Sequence, residues 1–202
     1  MSKFVVKSEV MQRFTALYKS LSSNAPEDLK CFRLEIANNK IFLIGCNEYV
    51  ACVELLGETN QENDVCYIKV NNALLESIEK ENNINGIYTF ETLPELAIGS
   101  VSASDGYKFN DFIVWPDEHI LENWRNWFTT PTESKGFMYC TLYQVQTLFE
   151  TSPTGEIVFP KDINSENPVI VRDVNNDNWI GAFIPSFDGK KVIKPAELPE
   201  WL

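Results

Sequence analysis

The strongest constraint on this chain is an order of elements that occurs twice before residue 116. Phe4-Val5-Val6 reads as a short strand, and Ser8 is placed to cap a helix reaching about residue 21. Val10, Phe14, Leu17 and Leu21 recur at helical spacing and make one apolar stripe. A polar loop with Pro26 follows. Cys31-Phe32-Arg33-Leu34-Glu35-Ile36 then alternates at period two, Asn38-Asn39 supplies a tight turn, and Ile41-Phe42-Leu43-Ile44 returns. That is a β-hairpin, because asparagine tolerates the left-handed backbone such turns need. Residues 49–56 give a third strand.

The same order then restarts. Residues 65–70 read as a strand, and Asn71-Asn72 as a cap pair for a helix over 73–80 with Leu74, Leu75 and Ile78 on its apolar side. Strands follow over 87–90, 95–102 and 107–115. The repeat lies in the pattern of elements, not in residue identity. So many strands with so few helices predict an α+β fold: antiparallel sheets with helices packed on one face.

Pro116-Asp117 opens a second region. Asp117 is a candidate cap, and Ile120, Leu121, Trp124, Trp127 and Phe128 fit an amphipathic helix over 117–128. A strand over 137–140 leads to Thr141, a cap for a helix to about residue 150, with Leu142, Val145, Leu148 and Phe149 apolar. Residues 155–159, 168–174 and 179–184 read as strands. The chain therefore divides into a domain over 1–115, a shorter one over 116–185, and a tail over 186–202.

Chemistry is hard to find. The formal net charge is -12, with ten Lys or Arg against fifteen Asp or Glu in residues 1–110 and seven against fourteen in 111–202. Neither half offers the basic patch on which strong non-specific nucleic-acid binding rests, so any DNA contact must come from a local cluster. His119 is the only histidine, which excludes a histidine metal cluster and argues against a Ser-His-Asp triad. No glycine-rich phosphate loop is present. Asp173, Asn175, Asn176, Asp177 and Asn178 lack the glycine and terminal glutamate of an EF-hand, and suit a turn between strands better. Glu62 and Asp64 fall in a polar loop. No catalytic residue, metal or cofactor is expected.

The five cysteines have no CxxC spacing, and Cys31, Cys52, Cys66 and Cys140 sit among strand-like residues. Buried reduced thiols in a cytoplasmic protein are the expectation. No signal peptide or membrane span is expected, since the apolar runs are short.

The order of elements resembles the processivity fold of DNA sliding clamps, such as the bacterial DNA polymerase III beta subunit, in which a strand-helix-three-strands unit repeats within each domain. Phe4-Val5-Val6 with residues 8–21 is similar to the family's opening strand and helix, and Phe32 to Leu43 to its next hairpin. Pro168-Val169-Ile170-Val171-Arg172-Asp173 with Trp179-Ile180-Gly181-Ala182-Phe183-Ile184-Pro185 is similar to the closing hairpin. The likeness covers most of residues 1–185. The second domain is shortened, because residues 129–136 leave no room for three strands after the helix.

The resemblance implies a non-enzymatic processivity factor that encircles duplex DNA as a homo-oligomer and tethers a polymerase or other replication protein without reading sequence, and the shortened second domain suggests a phage or plasmid origin. On that basis Lys7, Arg13, Lys19, Lys80 and Arg125 are candidates for phosphate contact. Ala182, Ile184 and Pro185 would form one wall of a partner cleft, Ile113 and Trp115 another. Leu198, Trp201 and Leu202 on the tail are candidate anchors, and a packed chain end is the plain alternative. Two other readings stay open: a clamp-fold interaction module that does not encircle DNA, and an unrelated α+β binding module.

Overall fold

The computed structural model describes residues 2–19, 21, 24–80, 86–93, 98–103, 108–110, 113–114, 121–128, 140–159 and 168–184. The expected strand over 137–139, the start of the helix at 117, and the tail lie outside these residues.

The first strand, β1 (Lys3–Lys7), alternates exposed and buried residues and leads directly into α1 (Ser8–Phe14). The predicted single helix is two pieces, because α2 (Ala16–Lys19) follows a break at Thr15. The Thr15 hydroxyl donates to the Gln12 carbonyl at 2.7 Å, and its N–H is shared between Met11 and Gln12. A threonine that bonds the preceding turn competes with the regular ladder and tightens it locally. Ser8 is not the cap. Lys7 occupies that position without a side-chain bond, while the Ser8 N–H donates to the Gly86 carbonyl.

The hairpin forms as the alternation requires. β2 (Cys31–Ala37) pairs antiparallel with β3 (Lys40–Cys46), and Asn38 and Asn39 both take left-handed backbone angles. β4 (Val50–Glu58) continues the meander, and β5 (Asp64–Lys69) pairs back onto β2. α3 (Asn72–Lys80) is capped by the Asn71 side chain, which accepts from the Leu74 N–H. β6 (Ile87–Leu93), β7 (Ile98–Ala103), β8 (Lys108–Asn110) and the short β9 (Ile113–Val114) follow. α4 (Leu142–Thr151) starts at the cap that the sequence suggested, Thr141, which forms a capping box with Gln144. β10 (Ile157–Val158), β11 (Val169–Asp173) and β12 (Trp179–Phe183) close the fold.

These strands make two antiparallel sheets, one of order β1-β6-β7-β8 and one of order β10-β11-β12-β4-β3-β2-β5-β9. The fold class is therefore the predicted α+β arrangement. Strands from the second region extend the sheet of the first, since β12 pairs with β4 from Trp179↔Glu54 to Phe183↔Val50.

Alternation along the large sheet creates two apolar layers. Phe32, Leu34, Leu43, Cys52 and Ile68 pack against Phe14, Leu17, Leu74, Ile78 and Leu148, so α1 to α4 all share that core. Ile44, Ala51, Val53 and Tyr67 face the opposite way and are covered by Leu121 and Trp124. The predicted helix over 117–128 is, in its described part, a turn followed by a 3-10 helix, Trp124–Phe128.

Candidate nucleic-acid interface

Each cation suggested by the sequence meets a carboxylate. Lys7 Nζ lies 3.8 Å from Glu9, Lys19 3.0 Å from Glu79, and Lys80 3.1 Å from Glu76. These ammonium groups are more than half exposed, where such pairs contribute little. Arg13 differs. Its side chain is 18% exposed and its Nη2 donates to both oxygens of Glu54. Burial pushes the Glu54 carboxyl above its ordinary range, and the Arg13 guanidinium pulls it partly back.

Arg125 is on the other side of the sheet. Its Nη2 donates to Glu35 at 2.5 Å, and its guanidinium lies 4.2 Å over the Trp124 ring. Glu35 also accepts from Trp124 Nε1 and Arg33 Nε, both at 2.9 Å, and Arg33 donates to the Tyr67 hydroxyl. Burial raises the Glu35 carboxyl, yet bonds from Arg125 and Trp124 and the nearby Arg33 bring it below its ordinary value. Sequence reasoning missed both carboxylates, although each leaves a sign: Glu35 alternates with Arg33 on one sheet face, and Glu54 interrupts an apolar strand. Arg125 thus shares no surface with the helix cations.

The candidate partner residues divide in the same way. Ala182 is fully buried in β12 opposite Ala51. Ile184 is 44% exposed, its N–H donates to the Tyr49 carbonyl, and its own carbonyl accepts from Gln144 Nε2 at 2.7 Å. Ile113 lies in β9, paired with Ile68 beyond β5. The order β12-β4-β3-β2-β5-β9 separates the two sets by roughly 24 Å at about 4.8 Å per strand, so they do not line one cleft within this chain. Trp115, Pro185, Leu198, Trp201 and Leu202 lie outside the described residues.

The sequence did not point to a cleft of about 290 Å3 between β1, α1 and the end of β4, with Val5, Lys7, Arg13, Glu54, Leu56 and Pro153 among its lining. Nothing in it resembles a reaction centre. Among the described residues no group of histidine, cysteine and carboxylate side chains could hold a metal ion, and no helix is long and apolar enough to cross a membrane. Burial pushes the Cys46 and Cys52 thiols up to about 12, which leaves them protonated and unreactive.

No protein-family model matches the sequence, and no curated protein matches it. Solved structures do match. A DNA polymerase III beta sliding clamp from Pseudomonas aeruginosa superposes with a TM-score of 0.63 at 9% identity, over 92% of this chain and 65% of that one. A DNA polymerase III beta chain from Streptococcus pneumoniae gives 0.57 at 10% identity, over 97% and 67%. A beta subunit from Eubacterium rectale gives 0.59 at 8%, over 92% and 65%. The chain spans about two thirds of the length of these clamps. At such low identity the likeness speaks for architecture alone, and on that ground the chain adopts the α+β fold of the DNA polymerase III beta sliding clamps.

Proposed function

We propose that this chain is a non-catalytic, clamp-type replication protein that tethers a replication partner to duplex DNA without sequence specificity. The observation that carries the reading is one layer of helices, α1 to α4, on one face of an antiparallel sheet whose overall arrangement matches sliding clamps. In such an assembly the helices face the duplex, and the domains over 1–115 and 116–185 act as two modules sharing one sheet. We assign phosphate contact to Lys19 and Lys80, whose ammonium groups are exposed on the helices. Arg13 is committed to Glu54 and Arg125 to Glu35, so both serve the fold first.

One observation favours the second reading, an interaction module that does not encircle DNA. Every cation of the set already has a carboxylate partner, and α4 carries no basic residue. The two readings separate on a nicked circular duplex. A tethering ring sediments as an oligomer and stays on the circle in high salt, but slides off once the circle is cut. Reversing Lys19 and Lys80 to glutamate then shortens its residence. A monomer that treats circular and linear DNA alike refutes encirclement and leaves the interaction module.

A further inference from the structure

β1 lies at the margin of its four-stranded sheet, and its register with β6 fixes which main-chain groups face outward. The Thr92 N–H donates to the Ser2 carbonyl at 3.0 Å, and the Ser8 N–H to the Gly86 carbonyl at 2.8 Å. Even-numbered residues therefore bond β6, and Lys3, Val5 and Lys7 turn their main-chain N–H groups away from the sheet. At Lys3 a side chain closes this edge. Gln61 Oε1 accepts from the Lys3 N–H and Gln61 Nε2 donates to the Lys3 carbonyl, both at 2.9 Å. A carboxamide carries the donor and acceptor of a peptide group, so Gln61 sits where a neighbouring strand would. The Val5 N–H and carbonyl and the Lys7 N–H have no such partner among the described residues. The cleft described above opens beside this window.

We propose that the β1 edge from Val5 to Lys7 binds an extended peptide segment of a partner protein, carrying a carboxylate across from Lys7, and adds it to the four-stranded sheet as a further strand. Main-chain pairing supplies the orientation, and the cleft, mostly polar but with Val5, Leu55 and Leu56 on its wall, receives a side chain. Charge selects the occupant. The Lys7 side chain is 73% exposed and its ion pair with Glu9, at 3.8 Å, is too long for a hydrogen bond. A second copy of this chain is a poor fit. Antiparallel self-pairing about Val5 puts Lys3 of one protomer opposite Lys7 of the other, and like charges directly across a ladder repel. The site goes beyond the tethering function and stands whether or not DNA is encircled.

The test uses the full, isotope-labelled chain and two blocked hexapeptides, one alternating valine with glutamate and one alternating valine with lysine. The glutamate peptide is expected to slow amide exchange at Val5 and Lys7, and to bind about two- to fivefold more tightly than the lysine peptide. Val5→Pro removes an outward N–H without touching the β1–β6 ladder, and is expected to weaken binding by about two- to tenfold. Retained protection of the Phe4 and Val6 amides verifies that this variant is folded. Equal affinity for the two peptides, undiminished binding by folded Val5→Pro, or protection that appears elsewhere overturns the proposal.

Discussion

Arg13 Nη2 lies 2.8 Å from both carboxylate oxygens of Glu54, joining the first helix to the strand β4 across the edge of the core. The carboxylate side chain is 9% exposed, so its charge is tolerated only because the guanidinium is there.

Arg13→Ala strands that charge. The expected loss is on the order of 3 kcal/mol in urea unfolding, the lower end for a broken buried pair, since Arg13 is partly exposed. Glu54 already titrates above its ordinary value, and losing Arg13 raises it further. A carboxyl raised in the folded state contributes stability below its unfolded value and loses it as pH rises. The deficit of the variant is therefore largest at neutral pH and shrinks toward pH ~4. Replacing both residues by methionine is expected to restore most of the loss.

Glu35→Gln tests how residues 121–128 are held on the sheet. The neutral amide keeps the shape but loses the charge-assisted bonds to Arg125 and Arg33, with an expected cost of about 1.5–3 kcal/mol. Trp124 is 8% exposed, and its emission is expected to shift to longer wavelength as the segment loosens. In the parent, Glu35 is held below its ordinary value, so its contribution is complete above pH ~4.3 and is lost as pH falls through the folded value. Acid titration followed by tryptophan fluorescence reads both effects.

Gly181→Ala probes the seat of α4. An added Cβ would meet Leu148 Cδ2 at 2.7 Å and Trp179 Cη2 at 2.8 Å, so the helix or the indole must move. The expected destabilisation is roughly 1–3 kcal/mol by thermal unfolding. Gly57 is the opposite case: an added Cβ would meet nothing within 4 Å, but its φ of +152° strains any side chain placed there.

Asp173 organises the turns at the end of α4 and β11. Its carboxylate accepts from the Ser152 hydroxyl, from the Thr154 N–H and hydroxyl, and from the Asn175 N–H. Burial raises this carboxyl, but the bonds from Ser152, Thr154 and Asn175 bring it below its ordinary value. Its stabilisation is present above pH ~3.9 and disappears at lower pH. Asp173→Asn, monitored by amide exchange, is expected to expose the Thr154 and Asn175 amides first.

Local signals were legible wherever one residue type had one local solution. Asn38-Asn39 made the hairpin, and Asn71 and Thr141 capped their helices through bonds within a few residues. Ser8 failed as a cap because β1 runs on through Lys7, so Ser8 enters as the first helical residue; its N–H bonds Gly86, 78 residues away in sequence, and its hydroxyl is buried without a partner among the described residues. The break at Thr15 turned on which way one hydroxyl pointed. Arg13 and Arg125 looked alike as surface cations, and only their buried carboxylate partners distinguished them from Lys19 and Lys80.

The sequence by itself determined the kinds of elements and their order, because hydrophobic period and capping act over a few residues. Tertiary structure decided that β12 joins β4, that residues 121–128 cover the face opposite the helices, and that Gln61 closes only part of the β1 edge. Those choices depend on contacts between distant residues, which compete for the same main-chain groups and are settled only when the whole sheet has assembled.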